Sequence, residues 1–194
     1  MSMRDIKQRL NELNEVLKDR SFIKNRNRGG ELNFYIFDYD PEHELIVRDF
    51  VTYIPDKYNY EGSEIKAIVI DLYELMIEIL NSTKIIDKTI LDLVPGMEEK
   101  DGKDRLSRAL KPIVSPENFN KLIAKKTEGY NLVVITGVGK IWPFVRSHNI
   151  LNNLQNVIEK LTVIMFYPGV YDQHELCLFN LFKDDNYYRA FRMV

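Results

Sequence analysis

Cysteine is nearly absent from this chain: Cys177 stands alone among 194 residues. A lone cysteine forms no intramolecular disulfide and no cysteine-based zinc cage, which fits a reducing compartment. No run of apolar residues approaches the ~20 that a membrane-spanning helix needs. The opening stretch, MSMRDIKQRLNELNEVL, is charged throughout and lacks the apolar core of a signal peptide. A cytoplasmic protein is therefore expected. An excess of either charge is lacking too, with 27 basic against 29 acidic residues. Proteins that coat nucleic acid usually carry a clear basic excess, so nucleic acid is not the expected ligand. No GxSxG elbow is present, and Cys177 lies inside an apolar run where it reads as core, so no nucleophilic triad is supported.

What is present is enough apolar surface for one core, 45% hydrophobic and 11% aromatic residues in a chain of single-domain length. Ile6, Leu10, Leu13 and Leu17 recur at helical spacing. A loop from Lys18 to Gly30 follows, carrying Lys18, Arg20, Lys24, Arg26 and Arg28. It reads as a solvated charged loop, with phosphate contact as the alternative. LNFYIFD (Leu32–Asp38) reads as a strand. Asp40-Pro41 then opens a helix continued by Leu45, Ile46, Phe50 and Tyr53, which Pro55 ends.

A second strand is expected over Ile65–Asp71, followed by a helix through Leu75, Met76, Ile79 and Leu80. Residues 83–130 read as helical, punctuated into three segments at Pro95-Gly96, Asp101-Gly102 and Pro112 to Pro116. NLVVIT is apolar on successive positions, as in a strand buried on both faces. A helix with Ile150, Leu154, Val157, Ile158 and Leu161 leads to the strand LTVIMF. Only YPGVYDQH separates it from ELCLFNLF, too short for a parallel crossover, so that pair should form an antiparallel hairpin. The expected fold is α/β: a single-domain, open, mostly parallel five-stranded sheet flanked by helices, with a C-terminal antiparallel hairpin edge. Residues 1–30 form its N-terminal helix and basic loop, and 83–130 a helical insertion.

Thr136-Gly137-Val138-Gly139-Lys140 directly follows a buried strand. A phosphate loop needs GxxxxGK followed by Ser or Thr, and here Val134 replaces the first glycine and Ile141 the hydroxyl residue. A strand-to-helix turn survives, at the end of the strand where open α/β sheets place ligands. It reads either as a structural turn or as a small-anion or partner site. The same stretch continues through Trp142, Arg146, His148 and Asn152. Arg146 and His148 suit phosphate or carboxylate, although His148 and the asparagines equally suit helix capping. Asp38, Asp40 and Asp71 at strand ends could approach a divalent metal, but capping is the commoner role there, and no metal is expected. At the C-terminus, Tyr187, Tyr188 and Arg189 are residue types enriched at interface hot spots.

Five segments, FYIFDYDPEHEL, VIDLYELM, TGVGKIWPFVRSHNILNNLQ, FYPGVYD and LFKDDNYYRAFRMV, resemble the BrxB family of bacteriophage-exclusion (BREX) phage-defence systems. The resemblance runs from about Leu32 to the C-terminus and is weakest over Thr83 to Glu128. The matching positions are Thr136, Gly137, Gly139, Trp142, Pro143, Arg146, His148, Asn149 and Asn152, then Pro168, Gly169 and the tail from Asp184 to Arg189. It implies a small accessory protein required for phage defence, with no catalytic residues to carry over and no cofactor. BREX loci also encode an ATPase, a methyltransferase and the alkaline-phosphatase-like protein PglZ. The family reading makes PglZ the best candidate for a direct partner. Residue types and resemblance together point to an adaptor whose surface includes Thr136, Gly137, Gly139, Trp142, Arg146, His148, Asn152, Tyr187, Tyr188 and Arg189. The alternatives are an anion- or nucleotide-binding protein or enzyme using the Gly137–His148 loop and, more weakly, a DNA-binding component.

Overall fold

Alternation of apolar side chains along the strands separates two cores, one on each face of a central sheet. In a computed structural model, the described residues are 6–19, 22–23, 33–146, 149–150, 154, 158, 161–172, 175–184 and 190–194. Strands β1 (Phe34–Tyr39), β2 (Ala67–Asp71), β5 (Leu132–Thr136), β6 (Thr162–Tyr171) and β9 (Phe191–Arg192) lie in the order β2-β5-β6-β1-β9. All four neighbouring pairs are parallel. Val133, Ile135, Val163 and Met165 face one core, and Leu132, Val134, Ile164 and Phe166 face the other. Leu132–Ile135 are all fully buried, as their consecutive apolar residues predict.

Helix α1 (Ile6–Lys18) packs Ile6, Leu10, Leu13 and Leu17 on one face of the sheet, beside α2 (Glu44–Thr52) and α3 (Ile54–Tyr58). Helices α4 (Leu72–Ser82), α5 (Ile90–Asp101), α6 (Lys103–Leu110), α7 (Pro116–Lys126) and α8 (Val138–Ile141) contribute to the other. Ile150, Leu154 and Ile158 are buried in that second core. The chain thus leaves β1 toward one face and leaves β2 and β5 toward the opposite one. Between them, β6 ends in a crevice, the position where sheets of this kind place ligands.

Several expectations change. The sheet holds seven strands instead of five, because the C-terminal strand divides and a new one is added. β6 runs on to Tyr171, through residues that read as loop, and there pairs antiparallel with β7 (Leu176–Leu178). The hairpin therefore rises from the end of a central strand and does not make a lateral edge. ELCLFNLF turns at Phe179-Asn180, both at positive φ (54° and 61°), and returns as β8 (Phe182–Asp184). Cys177 is half-buried, on the opposite side of β7 from the buried Leu176 and Leu178.

β9 pairs with β1 through Tyr35–Phe191 and Ile36–Arg192 and covers the sheet edge. Pro55 ends α2 as expected, yet it also opens α3, where its missing N–H would be unpaired anyway. Val47 and Val51 are the buried side of α2, while Leu45 and Tyr53 are exposed. Pro95 does not break the middle region. A reciprocal capping box between Thr89 and Asp92 starts α5, which runs through Pro95 to Asp101. A short hairpin, β3 (Lys84–Ile85) with β4 (Lys88–Thr89), precedes it.

Candidate functional site

The strand-end turn is built by close approach between backbone and side chain. Asp71, the last residue of β2, caps α4 by accepting from the amides of Tyr73 (2.8 Å) and Glu74 (3.4 Å). Thr136 pairs in register with it across the sheet. Gly137 follows in the left-handed region at φ 76°, and a Cβ there would lie 2.3 Å from Asp71 Oδ1. Only glycine meets both demands. Two residues on, a Cβ at Gly139 would lie 2.4 Å from Phe179 Cζ. Lys140, the cation of the turn, is ion-paired with Asp71 (Nζ–Oδ2 2.5 Å). The space beside both glycines is thus taken by this chain's own side chains, and the lysine's charge is met by Asp71.

A cleft of ≈ 250 Å³ lies between this turn and the start of α2, at the crevice above β6, with Pro168 and Phe179 among its lining residues. Its second wall carries Tyr39, Glu44 and Arg48. The Tyr39 hydroxyl donates to Glu44 (2.6 Å), and Arg48 pairs with the same carboxylate (3.4 Å). Burial, reinforced by the adjacent carboxylate, holds the Tyr39 hydroxyl firmly protonated.

Beyond the turn, Trp142 stacks on Phe182 with ring centroids 4.2 Å apart. Both rings remain partly exposed, and Leu181 beside them is 75% exposed. Together with Arg146 and Lys183 they rim a second groove of ≈ 250 Å³, floored by Val138, Val145, Tyr167 and Leu178. Gly137 and Gly139 thus line the first cleft and Trp142 and Arg146 the second, with Val138 lining both, while Thr136 is half-buried at the end of β5. His148, Asn152, Tyr187, Tyr188 and Arg189 lie outside the described residues, as do Arg20, Lys24, Arg26 and Arg28. Lys18 pairs with Glu15.

Sequence reasoning missed Phe179, Leu181 and Phe182. Their signal was weak because a Phe-Asn pair at a two-residue turn lacks the glycine that usually marks positive φ. It also gave Asp38 only a capping or metal role. Asp40 does cap, accepting from Glu42 N (3.0 Å), but Asp38 is buried and paired with Arg9 (2.9 Å) and Arg192 (2.9 Å). Among the described residues no group of three or more His, Cys, Asp or Glu is placed to hold a metal. None of their helices is long and apolar enough to cross a membrane.

Fold and surface define a doubly wound, mostly parallel α/β protein whose strand-end turn is closed by its own side chains beside an exposed aromatic shelf. Residues 68–193 match the family described as BREX protein BrxB. A BREX protein BrxB of Bacillus cereus (strain H3081.97) is 39% identical over 196 residues, 99% of each chain. Another from Escherichia coli O9:H4 (strain HS) is 31% identical over 188 residues, covering 96% of this chain and 90% of that one. The chain belongs to the BrxB family. No solved structure matches it.

Proposed function

We propose that this protein is a non-catalytic adaptor of a BREX anti-phage defence system, acting in the cytoplasm. It binds another protein of the same system, and PglZ is the best candidate. The observation that carries this reading is the shelf formed by Trp142, Phe182 and Leu181. Large apolar side chains held outward on a folded hairpin (Leu181, Phe182) and at the end of α8 (Trp142) offer contact area at little cost in ordering. His148, Asn152, Tyr187, Tyr188 and Arg189 enter the same reading as further partner contacts. The anion- or nucleotide-binding alternative is less favoured, because Lys140 already faces Asp71 and both glycines are crowded by neighbouring side chains.

Co-expression with PglZ, followed by affinity capture and size-exclusion chromatography, tests the reading. A stoichiometric complex is expected, weakened by Leu181→Ser. Leu181 is exposed enough for that change to leave stability within about 0.5 kcal/mol. Failure of PglZ and of every other protein of the system to co-elute would sink the adaptor.

A further inference from the structure

We infer that Asn59 guards the open edge of the sheet: its side-chain amide fills one hydrogen-bonding rung of β2 and so keeps two copies of this chain from joining edge to edge. The inference is independent of the adaptor reading.

Among the described residues β5 is the only strand beside β2, so the outer side of β2 ends the sheet. Edge strands are usually blunted by lysine, proline or a bulge, or by being very short. The opposite edge follows this rule, since β9 is two residues long and its Arg192 is held by Asp38. β2 does not. It reads Ala-Ile-Val-Ile-Asp, four apolar residues in succession with no lysine, proline or glycine. Such a run pairs readily with another strand if its outer backbone groups are free.

Asn59 is what occupies them. The backbone of Lys66, just before β2, faces β5, its carbonyl accepting from the amides of Asn131 (2.9 Å) and Leu132 (3.1 Å). The next residue along a strand faces the other way, so Ala67 faces outward. Its N–H donates to Asn59 Oδ1 (2.7 Å), and Asn59 Nδ2 donates to its carbonyl (2.8 Å). One side chain thus takes both bonds that a neighbouring strand would make. Asn59 is fixed in place as the residue that ends α3, its own N–H donating to the Pro55 carbonyl (2.9 Å) while Tyr58 before it is buried. Residues 59–62 are exposed, so little packing opposes moving this loop aside once the two bonds are gone.

Without Asn59 the edge is self-complementary. Val69 presents its backbone outward by the same alternation as Ala67. In an antiparallel pairing about a twofold axis at Ile68, Ala67 of each copy meets Val69 of the other, and each such pair exchanges both N–H···O bonds. Ile68 then faces Ile68, a β-branched pair that favours the sheet. Lys66 faces Ile70, so no like charges oppose the contact.

Analytical ultracentrifugation of the full chain over a wide range of concentration tests this. The mass of Asn59→Ala should rise with concentration toward twice that of the unsubstituted protein, whose own mass stays constant. Adding either Ile68→Lys or Ile68→Glu sets like charges opposite each other at the axis and should abolish the association. Mixing these two doubly substituted chains in equal amounts should restore it, because lysine then meets glutamate. A folded Asn59→Ala whose mass never rises overturns the inference. So does association that survives a charge at Ile68, or a mixture that stays unassociated. If Asn59→Ala does not fold, Asn59→Ser is read in the same way, since it keeps a polar group at the end of α3 but is too short to make both bonds.

Discussion

Arg192 grips Asp38 with two parallel contacts, Nε to Oδ1 at 3.0 Å and Nη2 to Oδ2 at 2.9 Å, and so fastens β9 to β1. Arg9 of α1 reaches the same carboxylate at 2.9 Å while lying over the Phe37 ring. The amide of Tyr171 donates to Oδ2 as well (3.1 Å). One buried carboxylate thus joins the first helix, the first strand, the loop end of the β6–β7 hairpin and the last strand. Asp38→Ala leaves two guanidinium groups facing each other without a counter-charge. It should cost about 3–5 kcal/mol, the usual penalty for breaking a buried pair from one side. Arg192→Met, which leaves Arg9 in place, should cost less. Urea unfolding of the two variants measures this, and an Asp38→Ala loss below about 1 kcal/mol would refute the hub.

Three glycines should rank by what a methyl group meets. A Cβ at Gly169 would lie 2.1 Å from the Cys177 carbonyl oxygen, which is backbone of the paired strand and cannot step aside. At Gly137 the obstacle is the Asp71 carboxylate, and the left-handed φ adds about 1–2 kcal/mol of strain. At Gly139 it is only the tip of the Phe179 ring, with no unusual φ. Melting temperatures of the alanine variants should therefore fall most for Gly169, then Gly137, and least for Gly139. The reverse order would show that the turn, not the hairpin, sets stability.

This ranking also marks how far the sequence could be read. The parallel core was legible because Leu132–Ile135 and Val163–Phe166 are apolar without interruption, and the short YPGVYDQH link required antiparallel pairing. The glycines after β5 announced a tight turn. Nothing in the sequence said that Asp71, 66 residues before Gly137, would crowd that glycine, or that Phe179, 40 residues after Gly139, would crowd the second. Long-range proximity also hid the Asp38 hub, whose partners Arg9 and Arg192 come from opposite ends of the chain. The division of ELCLFNLF into two strands was hidden for a local reason. A phenylalanine in the left-handed region is rare, and here Phe179 is held by the hydrogen bond its amide donates to the Pro168 carbonyl oxygen (2.8 Å) and by packing on the core.

Alkaline pH should destabilise the protein through its buried tyrosines. Burial pushes the Tyr58 hydroxyl up from its ordinary 10.0 to about 12, with Glu15 adding to the shift. Tyr39 moves in the same direction, through burial first and then its hydrogen bond to Glu44. Unfolded chains lose these protons near pH 10 while the folded protein keeps them. Stability is then complete below pH 10 and falls between 10 and about 12. Thermal melts across that window should show the decline, and Tyr58→Phe should flatten part of it. An unchanged slope in that variant would mean that other groups carry the effect.

The turn after β5 makes a contrary prediction about ligands. An anion seated at Gly137 and Gly139 would need Lys140, yet Lys140 spends its charge on Asp71. It would also sit against the Asp71 carboxylate, which cannot withdraw without uncapping α4 at a cost of about 1 kcal/mol. Repulsion and the lost cap both oppose binding. Phosphate, ATP and GTP, with or without magnesium, should therefore leave the melting temperature unchanged. A ligand at 100 times its dissociation constant would add about 2.7 kcal/mol, so even weak binding is visible. Lys140→Met should cost less than 1 kcal/mol by the same reasoning, since the pair is partly exposed and Asp71 keeps its amide donors. A nucleotide-dependent shift that disappears in Lys140→Met would overturn this picture and make the turn a binding loop.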